Sequence, residues 1–490
     1  MKKDLSLKCI GCDSLPDFSK ELINGCENRT IGDSNHILEK HIPLLDGVSM
    51  DSYLKIKSDN VNPFIYFKDF FLSKYIAEKY KVDFEGIIQN IQDRLNEVDG
   101  VGFQITPLTS YNSFSHFKNN LFIKDETGNV GGSHKARHLM GNILYIETLL
   151  KAGILKEKPS LSIYSCGNAA IAASVIAKAA GYKLDVFIPP NINRKVVDIL
   201  EKNNAIITVC PRQENESGDP CYNRFQESLQ SGAVSFSCSG PDNWANIEGG
   251  ETLVLELMVQ MSEIEKKLDS IVIQVGGGAL TSSAVHALDT LYEQNLINYI
   301  PKIYTVQTEG CYPLARAYFL LLKKMAEVNG LKCSLNFTKH SNKTEAIVEN
   351  QKLLHYACNF IKEITEIKTF IRDNYNKCCV QNVLMTACKK ENSSFMWNWE
   401  EEPASIAHGI LDDITYDWFK LAQGMFKTGG IPVVVDENEL LDANKTARDL
   451  TDINVDPTGS SGFCGLLHLL GLKIIPETDN TAVLFTGVKR

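Results

Sequence analysis

The residues best placed for chemistry lie in Lys124–Met140, KDETGNVGGSHKARHLM. Lys135 follows a Gly131-Gly132-Ser133 turn and opens an apolar-periodic run of Ala136, Leu139, Met140, Ile143 and Leu144. The pattern predicts a strand, a tight turn and a helix start, with Ser133 as the N-cap residue. A lysine in that first turn faces the positive end of the helix dipole, which disfavours its charged form. A cheaper neutral amine is what a lysine needs to form a Schiff base with a carbonyl group. The plain alternative is a solvated lysine beside a turn, and this segment alone favours it.

Three further segments shift the balance. Residues 161–180, LSIYSCGNAAIAASVIAKAA, predict a strand (Leu161–Tyr164), a polar turn (Ser165-Cys166-Gly167-Asn168) and an Ala-rich helix. Small residues let such a helix pack closely on a sheet, and the turn offers donors to a carboxylate or a ring hydroxyl. Ile271–Ser283, IVIQVGGGALTSS, reads as a buried strand feeding three glycines and a second helix. Consecutive glycine amides at a helix start form an anion nest suited to a phosphate. Ile453–Leu467, INVDPTGSSGFCGLL, repeats the theme of strand, small-residue turn and helix.

With these motifs in view, the chain resembles the pyridoxal-phosphate enzymes of fold type II. That group includes threonine synthase, the serine/threonine dehydratases, serine racemase, cysteine synthase and the tryptophan synthase β chain. The G-S-x-K lysine, the S-x-G-N loop, the G-G-G-x-L loop and the P-[ST] turn occur in the matching order. Asn246–Thr252 (NIEGGET), Val306–Leu314 (VQTEGCYPL) and Val483–Gly487 (VLFTG) are also similar. Each motif is weak alone; together, from about Phe103 to Gly487, they make Lys135 the favoured Schiff-base lysine.

The resemblance implies pyridoxal 5'-phosphate as cofactor and assigns roles. Lys135 would bind the cofactor covalently and move the α-proton of a bound amino acid. Asn168 would hydrogen-bond the ring hydroxyl. Ser165, Cys166, Gly167, Asn168 and Ala169 would receive the substrate carboxylate, and Gly276, Gly277, Gly278, Ala279 and Leu280 the phosphate. Gly409 would lie against the ring, and Thr458 would meet the pyridine nitrogen. A hydroxyl there does not hold that nitrogen protonated, which favours elimination or replacement at Cβ over transamination. The chain departs from the pattern in places. Cys166 stands where some relatives carry an acid–base serine, which makes it a second catalytic candidate; a packing thiol is the competing reading. Ala279 replaces a fourth loop glycine, Ala169 a substrate-binding threonine or histidine, and Asp456 a glutamate.

Composition agrees with a globular intracellular enzyme. The chain has 490 residues, 44% hydrophobic, and a net charge of -10. Without a basic run, that charge argues against nucleic acid or an anionic membrane surface as partner. No apolar h-region follows the basic start and no 18-residue apolar stretch occurs, so neither signal peptide nor membrane span is expected. The 14 scattered cysteines read as reduced thiols in a cytoplasm. Cys9-x-x-Cys12 and Cys26 offer three zinc ligands, or four with His36. The resemblance makes this a degraded version of the paired-cysteine knuckle of threonine synthases, with one second-pair cysteine missing, and no metal is expected there. Gly276–Thr281 fails G-x-G-x-x-G, and no G-x-x-x-x-G-K-[ST], H-E-x-x-H or G-x-S-x-G occurs. Asp412-Asp413 and Asp417 read as a solvated helix start.

Alternating strand and helix patterns from residue 101 onward predict a parallel α/β architecture. The resemblance implies two open, mostly parallel sheets flanked by helices, with the active site in the cleft between them. Residues 101–135 and 246–490 would form the large domain, with an insertion at about 325–402 that includes a helix around Leu353–Arg372. Residues 136–245 would form the small domain, and 1–100 an N-terminal extension with a helix over Asp69–Tyr80. The expected protein is a cytoplasmic homodimer acting on a small amino acid. It is a lyase of β-elimination type, or an enzyme of threonine synthase-like replacement; the alternative from another class is a catalytically silent binding protein.

Overall fold

The computed structural model describes residues 5–30, 33–45, 47–50, 52, 61–111, 121–213 and 219–490. Three sheets organise these residues. β1 (Ser6–Cys9) and β2 (Leu38–His41) pair antiparallel near the N-terminus. A four-stranded sheet has the order β7-β6-β5-β8, from β5 (Leu161–Tyr164), β6 (Leu184–Ile188), β7 (Ile206–Val209) and β8 (Val234–Ser235). All its pairings are parallel. The six-stranded sheet has the order β11-β10-β9-β12-β4-β3. Its members are β3 (Leu108–Tyr111), β4 (Leu121–Asp125), β9 (Ser270–Gln274), β10 (Lys302–Thr308), β11 (Pro432–Val435) and β12 (Thr481–Phe485). Only β3, at the edge, runs antiparallel. Every residue of β9 and β12 is buried, as expected where helices cover both faces of a parallel sheet.

Two apolar cores correspond to the two larger sheets, and the helix Lys135–Lys151 contributes to both. Leu139, Met140 and Ile143 join the core of the four-stranded sheet, while Tyr145 and Leu149 join the other. This helix packs on Ala245–Glu263 at a contact that excludes a side chain. A Cβ on Gly141 would lie 2.3 Å from the Ala245 carbonyl oxygen, and one on Gly249 would lie 2.1 Å from that of Arg137. Beneath the contact sits a fully buried ionic cluster. Arg137 Nε meets Glu126 Oε2 at 2.7 Å, Arg137 Nη1 meets Glu256 Oε1 at 2.7 Å, and Lys124 Nζ meets Glu256 Oε2 at 2.7 Å. Two cations balance two anions, which is the condition for keeping such charges inside a protein.

Several sequence expectations require correction. The helix predicted over Asp69–Tyr80 begins at Leu72, after a 3-10 turn over Lys68–Phe70. Phe71 breaks it in an extended conformation, so that Phe70 enters one core and Phe71 the other. The stretch at 353–372 is likewise two helices, Lys343–Asn359 and Ile361–Asp373, parted at Phe360. The strand expected from Ile453 is reduced to a single bridge between Val455 and Val488. No helix among the described residues is long and apolar enough to cross a membrane.

Candidate active site

Because β4, β12 and β9 are parallel neighbours, the loops at their C-terminal ends lie along one edge of the sheet, where open α/β sheets bind ligands. Lys135 emerges there, half-buried, as the first residue of its helix. The turn before it is pinned to the end of β12. The His134 amide donates to the Thr486 carbonyl at 3.1 Å, and Ser133 bridges Gly487. That bridge corrects the expected cap: it holds Ser133 extended (φ -165, ψ 162) and moves the N-cap to His134. The Ser133 hydroxyl is buried with no hydrogen-bond partner among the described residues. A bound polar ligand is what such a group requires.

The glycine loop after β9 ends at Gly278, whose φ of 103 suits a residue without Cβ. Gly278 is the N-cap of helix Ala279–Glu293 and supplies no side-chain cap, leaving the first-turn amides for an anion. The loop already holds one carboxylate, since Asp412 accepts a hydrogen bond from the Gly277 amide. Asp412 was expected in solvent; instead it packs on the loop, where a Cβ on Gly276 would meet its Oδ2 at 2.2 Å. Burial raises its carboxyl above the usual range, while the charge of Lys135 pulls the other way. Asp417 is fully buried and burial pushes it up to about 7, even though the Gly240 amide donates to it at 3.4 Å. Of the expected exposed acids, Asp413 alone is exposed. Thr415 Oγ1 to the Gly276 carbonyl (3.0 Å) and the Asp417 amide to the Gly277 carbonyl (3.2 Å) tie this acidic segment to the loop.

The remaining candidates form a contiguous group beside Gly487. Asn168 opens helix Asn168–Ala180; Arg490 Nη1 donates to its Oδ1, and its Nδ2 lies where a Gly487 Cβ would come within 2.6 Å. Asp456 caps helix Pro457–Gly471 through the Gly459 amide, and burial pushes its carboxyl up to about 6. Thr458 Oγ1 accepts the Gly409 amide at 3.0 Å, and a Cβ on Gly409 would press to 2.8 Å from Thr458 Cγ2. Gln274 Nε2 joins the ends of β9 and β12 to this helix, with Thr486 Oγ1 at 2.7 Å and the Gly459 carbonyl at 3.0 Å.

Ser165, Gly167 and Ala169 are half-buried at the uncapped start of the Asn168 helix, and Cys166 is exposed. Surrounding atoms nevertheless desolvate the Cys166 thiol enough to raise it, which keeps it protonated at neutral pH. Ala279 and Leu280 are buried in the first turn after the glycine loop. His134 and Arg137, which flank Lys135 and could in principle donate to a substrate phosphate, are committed elsewhere. Arg137 belongs to the buried ionic cluster. His134 Nδ1 lies 3.1 Å from the Thr486 carbonyl, and burial lowers its imidazole well below the usual range. His138 is neutral too, lowered to about 3 chiefly by burial.

Sequence reasoning missed Asp412, Tyr416 and Arg490. Tyr416 lies where a Gly277 Cβ would come within 3.1 Å of its ring, and its hydroxyl donates or accepts at 3.4 Å from that of Tyr164 on β5. No periodic pattern could find these residues, because long-range contacts alone position them. The donor set fits pyridoxal 5'-phosphate: an accessible lysine amine, an amide-lined helix start for the phosphate, a glycine shelf at 409 and a hydroxyl for the ring nitrogen.

Comparison with known proteins points the same way. The family model "Pyridoxal-phosphate dependent enzyme" matches residues 101–350. A cysteine synthase from Flavobacterium sp. is 26% identical over 188 residues, covering 38% of this chain and 59% of that enzyme. The chain thus aligns with less than two thirds of that relative. The fold is similar to that of maize serine racemase (TM-score 0.52, 17% identity, 83% of this chain and 93% of the racemase). It is similar also to threonine deaminase isoform 2 from Solanum lycopersicum (TM-score 0.52, 15% identity, 83% and 91%). A sheet order that gathers a first-turn lysine and a glycine-capped helix at one edge is shared with a family whose model spans half the chain; the protein is a member of the fold type II pyridoxal-phosphate-dependent enzymes, with pyridoxal 5'-phosphate as its cofactor.

Proposed function

We propose that the protein is a lyase that eliminates a β-substituent from a small amino acid. The observation that carries this reading is the Thr458 hydroxyl. Its oxygen already accepts the Gly409 amide, so its own proton is free to be donated. A donor at that point leaves the pyridine nitrogen unprotonated, which weakens the electron sink and favours loss of a β-group over transamination. When bound, the cofactor supplies stabilisation of negative charge at Cα. The chain supplies the rest. Lys135 Nζ holds the cofactor covalently and takes the proton from Cα. Asn168, braced by Arg490, fixes the ring hydroxyl. The amides of Gly276–Leu280 hold the phosphate, and Ser165–Ala169 at the uncapped helix start orient the substrate carboxylate.

Threonine synthase-like replacement shares these steps but calls for an additional anion site on the substrate side. Arg137 is enclosed in its ionic cluster and His134 is neutral, which favours elimination. The test is to purify the holoenzyme, record its visible band before and after borohydride, and add L-serine, L-threonine and other small amino acids singly. Release of ammonia and a keto acid is expected, with Thr458→Asp shifting products toward transamination. A coloured protein that turns over no amino acid would refute the enzymatic reading and leave a silent cofactor-binding protein.

A further inference from the structure

Besides the residues just described, a second cluster of reactive side chains has the geometry of a metal centre. Cys9 ends β1, and the Cys9-Ile10-Gly11-Cys12 turn folds back so that the Cys9 amide donates to the Ser14 carbonyl at 2.9 Å. The β1–β2 register pairs Cys9 with Leu38, which brings His36 alongside. Gly11 permits the approach, since a Cβ there would lie 2.4 Å from the Asn35 carbonyl oxygen. Cys26 closes the group, and the three sulfurs and one imidazole nitrogen all lie within 4.8 Å of one another.

The individual edges decide what the cluster is built for. Cys9 Sγ to His36 Nδ1 is 3.6 Å, Cys26 Sγ to His36 Nδ1 is 3.5 Å, and Cys12 Sγ to Cys26 Sγ is 3.6 Å. A tetrahedral zinc with Zn–S of about 2.3 Å and Zn–N of about 2.05 Å requires S···N edges of about 3.6 Å and S···S edges of about 3.8 Å. The surroundings match as well. The other His36 nitrogen, Nε2, lies 3.6 Å from Asp33 Oδ2, the carboxylate partner that fixes the tautomer of a metal-bound histidine. Asn28 Nδ2 donates to Cys12 Sγ at 3.4 Å, and Ser14 Oγ lies 3.5 Å from Cys26 Sγ. Sulfurs that accept such donors are the environment of thiolates.

We propose that Cys9, Cys12, Cys26 and His36 form a closed structural zinc site, independent of the elimination chemistry. His36, the fourth candidate ligand in the sequence, takes the place of the missing second-pair cysteine. The site staples the N-terminal segment across the molecule: Asn35 Nδ2 donates to the Cys388 carbonyl at 3.2 Å, Asn392 Nδ2 to Ser34 Oγ at 3.1 Å, and Arg29 pairs with Asp242 at 2.5 Å. With all four positions filled by protein, the metal is structural rather than catalytic.

The test uses the holoenzyme, purified under reducing conditions after growth with zinc. Elemental analysis should find one zinc per chain, while Cys12→Ser and Cys26→Ser lose it and Cys358→Ser, at an exposed cysteine elsewhere, retains it. A mercurial should release zinc from the wild-type protein while the visible cofactor band persists. Substoichiometric zinc in the wild-type chain overturns the proposal, as does iron in its place. So does a denatured, unreduced chain with two titratable thiols fewer than its 14, which would mark a Cys12–Cys26 disulfide.

Discussion

Arg137→Met is the most exacting perturbation of the framework that carries Lys135. The guanidinium is fully buried and donates to Glu126 at 2.7 and 3.0 Å, to Glu256 at 2.7 and 3.0 Å, and to Thr252 Oγ1 at 3.0 Å. Methionine fills most of the volume but turns a neutral cluster of two cations and two anions into one with an unpaired negative charge. Removing one partner of a buried pair costs about 3–5 kcal/mol. Lys124 still neutralises Glu256, so the excess charge falls on Glu126. At present burial pushes Glu126 up, but the charge and hydrogen bonds of Arg137, joined by Lys124 and Thr106, together hold it below the usual carboxylate range. Without Arg137, burial prevails and its pKa rises above the unfolded value. The variant is then penalised where Glu126 must ionise and spared where it can stay protonated. Its deficit should therefore grow with pH, by at most about 1.4 kcal/mol per pH unit for one proton. Urea unfolding followed by tryptophan fluorescence at pH 5.5 and 7.5, at matched cofactor occupancy, measures both quantities. Arg137→Met/Glu126→Gln should recover part of the loss at pH 7.5. A deficit below about 1 kcal/mol, or one independent of pH, would refute the account of the cluster as a compensated buried charge network.

Other predictions bear on the site. Lys135→Ala should lose the borohydride-sensitive band and all turnover while keeping its circular dichroism; retained activity would exclude Lys135 as the covalent anchor. Cys166→Ser should keep elimination if the thiol only packs under the loop, whereas a loss beyond about 10²-fold in kcat would assign it a proton-transfer role. Gly141→Ala should cost about 1–3 kcal/mol or more through overpacking against the Ala245 carbonyl, read as a lowered Tm, and should weaken cofactor retention by displacing the Lys135 helix. Asp417 and Asp456, raised to about 7 and about 6, favour their protonated forms in the fold. Their stabilisation is complete below the unfolded carboxylate pKa and is lost as pH rises through 6 to 7. The depressed histidines 134 and 138 act in the opposite sense and still do so between pH 6.5 and 7.5, since unfolded histidine is half-protonated at about pH 6.5. Asp417→Asn removes one acid while leaving the histidines, so its urea midpoint should fall less, or rise more, than that of the wild type between pH 6.5 and 7.5; an unchanged pH profile would contradict the burial of this acid.

What the sequence made legible was punctuation. Gly131-Gly132, Gly276–Gly278 and Pro457 interrupt apolar runs, and each interruption marks a real passage from strand or turn into helix. What it hid depends on contacts between distant segments. Ser133 has the right chemistry for an N-cap, yet pairing with Gly487 in β-fashion consumes its backbone and transfers the cap to His134. Asp412 and Asp413 are adjacent acids with no local signal to separate them, and only one is drawn onto the glycine loop. Arg137 lies two residues from Lys135 and looks like a substrate ligand, but helix Ala245–Glu263 presents Glu256 to it from more than a hundred residues away. The break at Phe71 is hidden for the same reason, because the competing cores are not local.

These hidden contacts share a consequence for the chemistry. Among the described residues no hydrogen bond or ion pair holds the Lys135 amine; its position follows from the helix behind it. That helix is fixed by a close Gly141–Gly249 crossing, by Arg137 locked between two carboxylates, and by a bridge from Ser133 to Gly487. None of these groups is required to touch a substrate, yet each constrains the amine to within the small tolerance that proton transfer at Cα demands. The opposite side of the site is built differently. The Asp412–Asp417 segment is held to the glycine loop by Thr415, by the Asp417 amide at 3.2 Å and by the Gly277 amide on Asp412, and it carries Asp417, whose protonation varies near neutral pH. On the proposed function, an amine held by its helix faces an acidic segment tied separately to the glycine loop, so substitutions on the two sides should separate. Those behind Lys135 should lower kcat, and those in the acidic segment should act first on cofactor and substrate affinity.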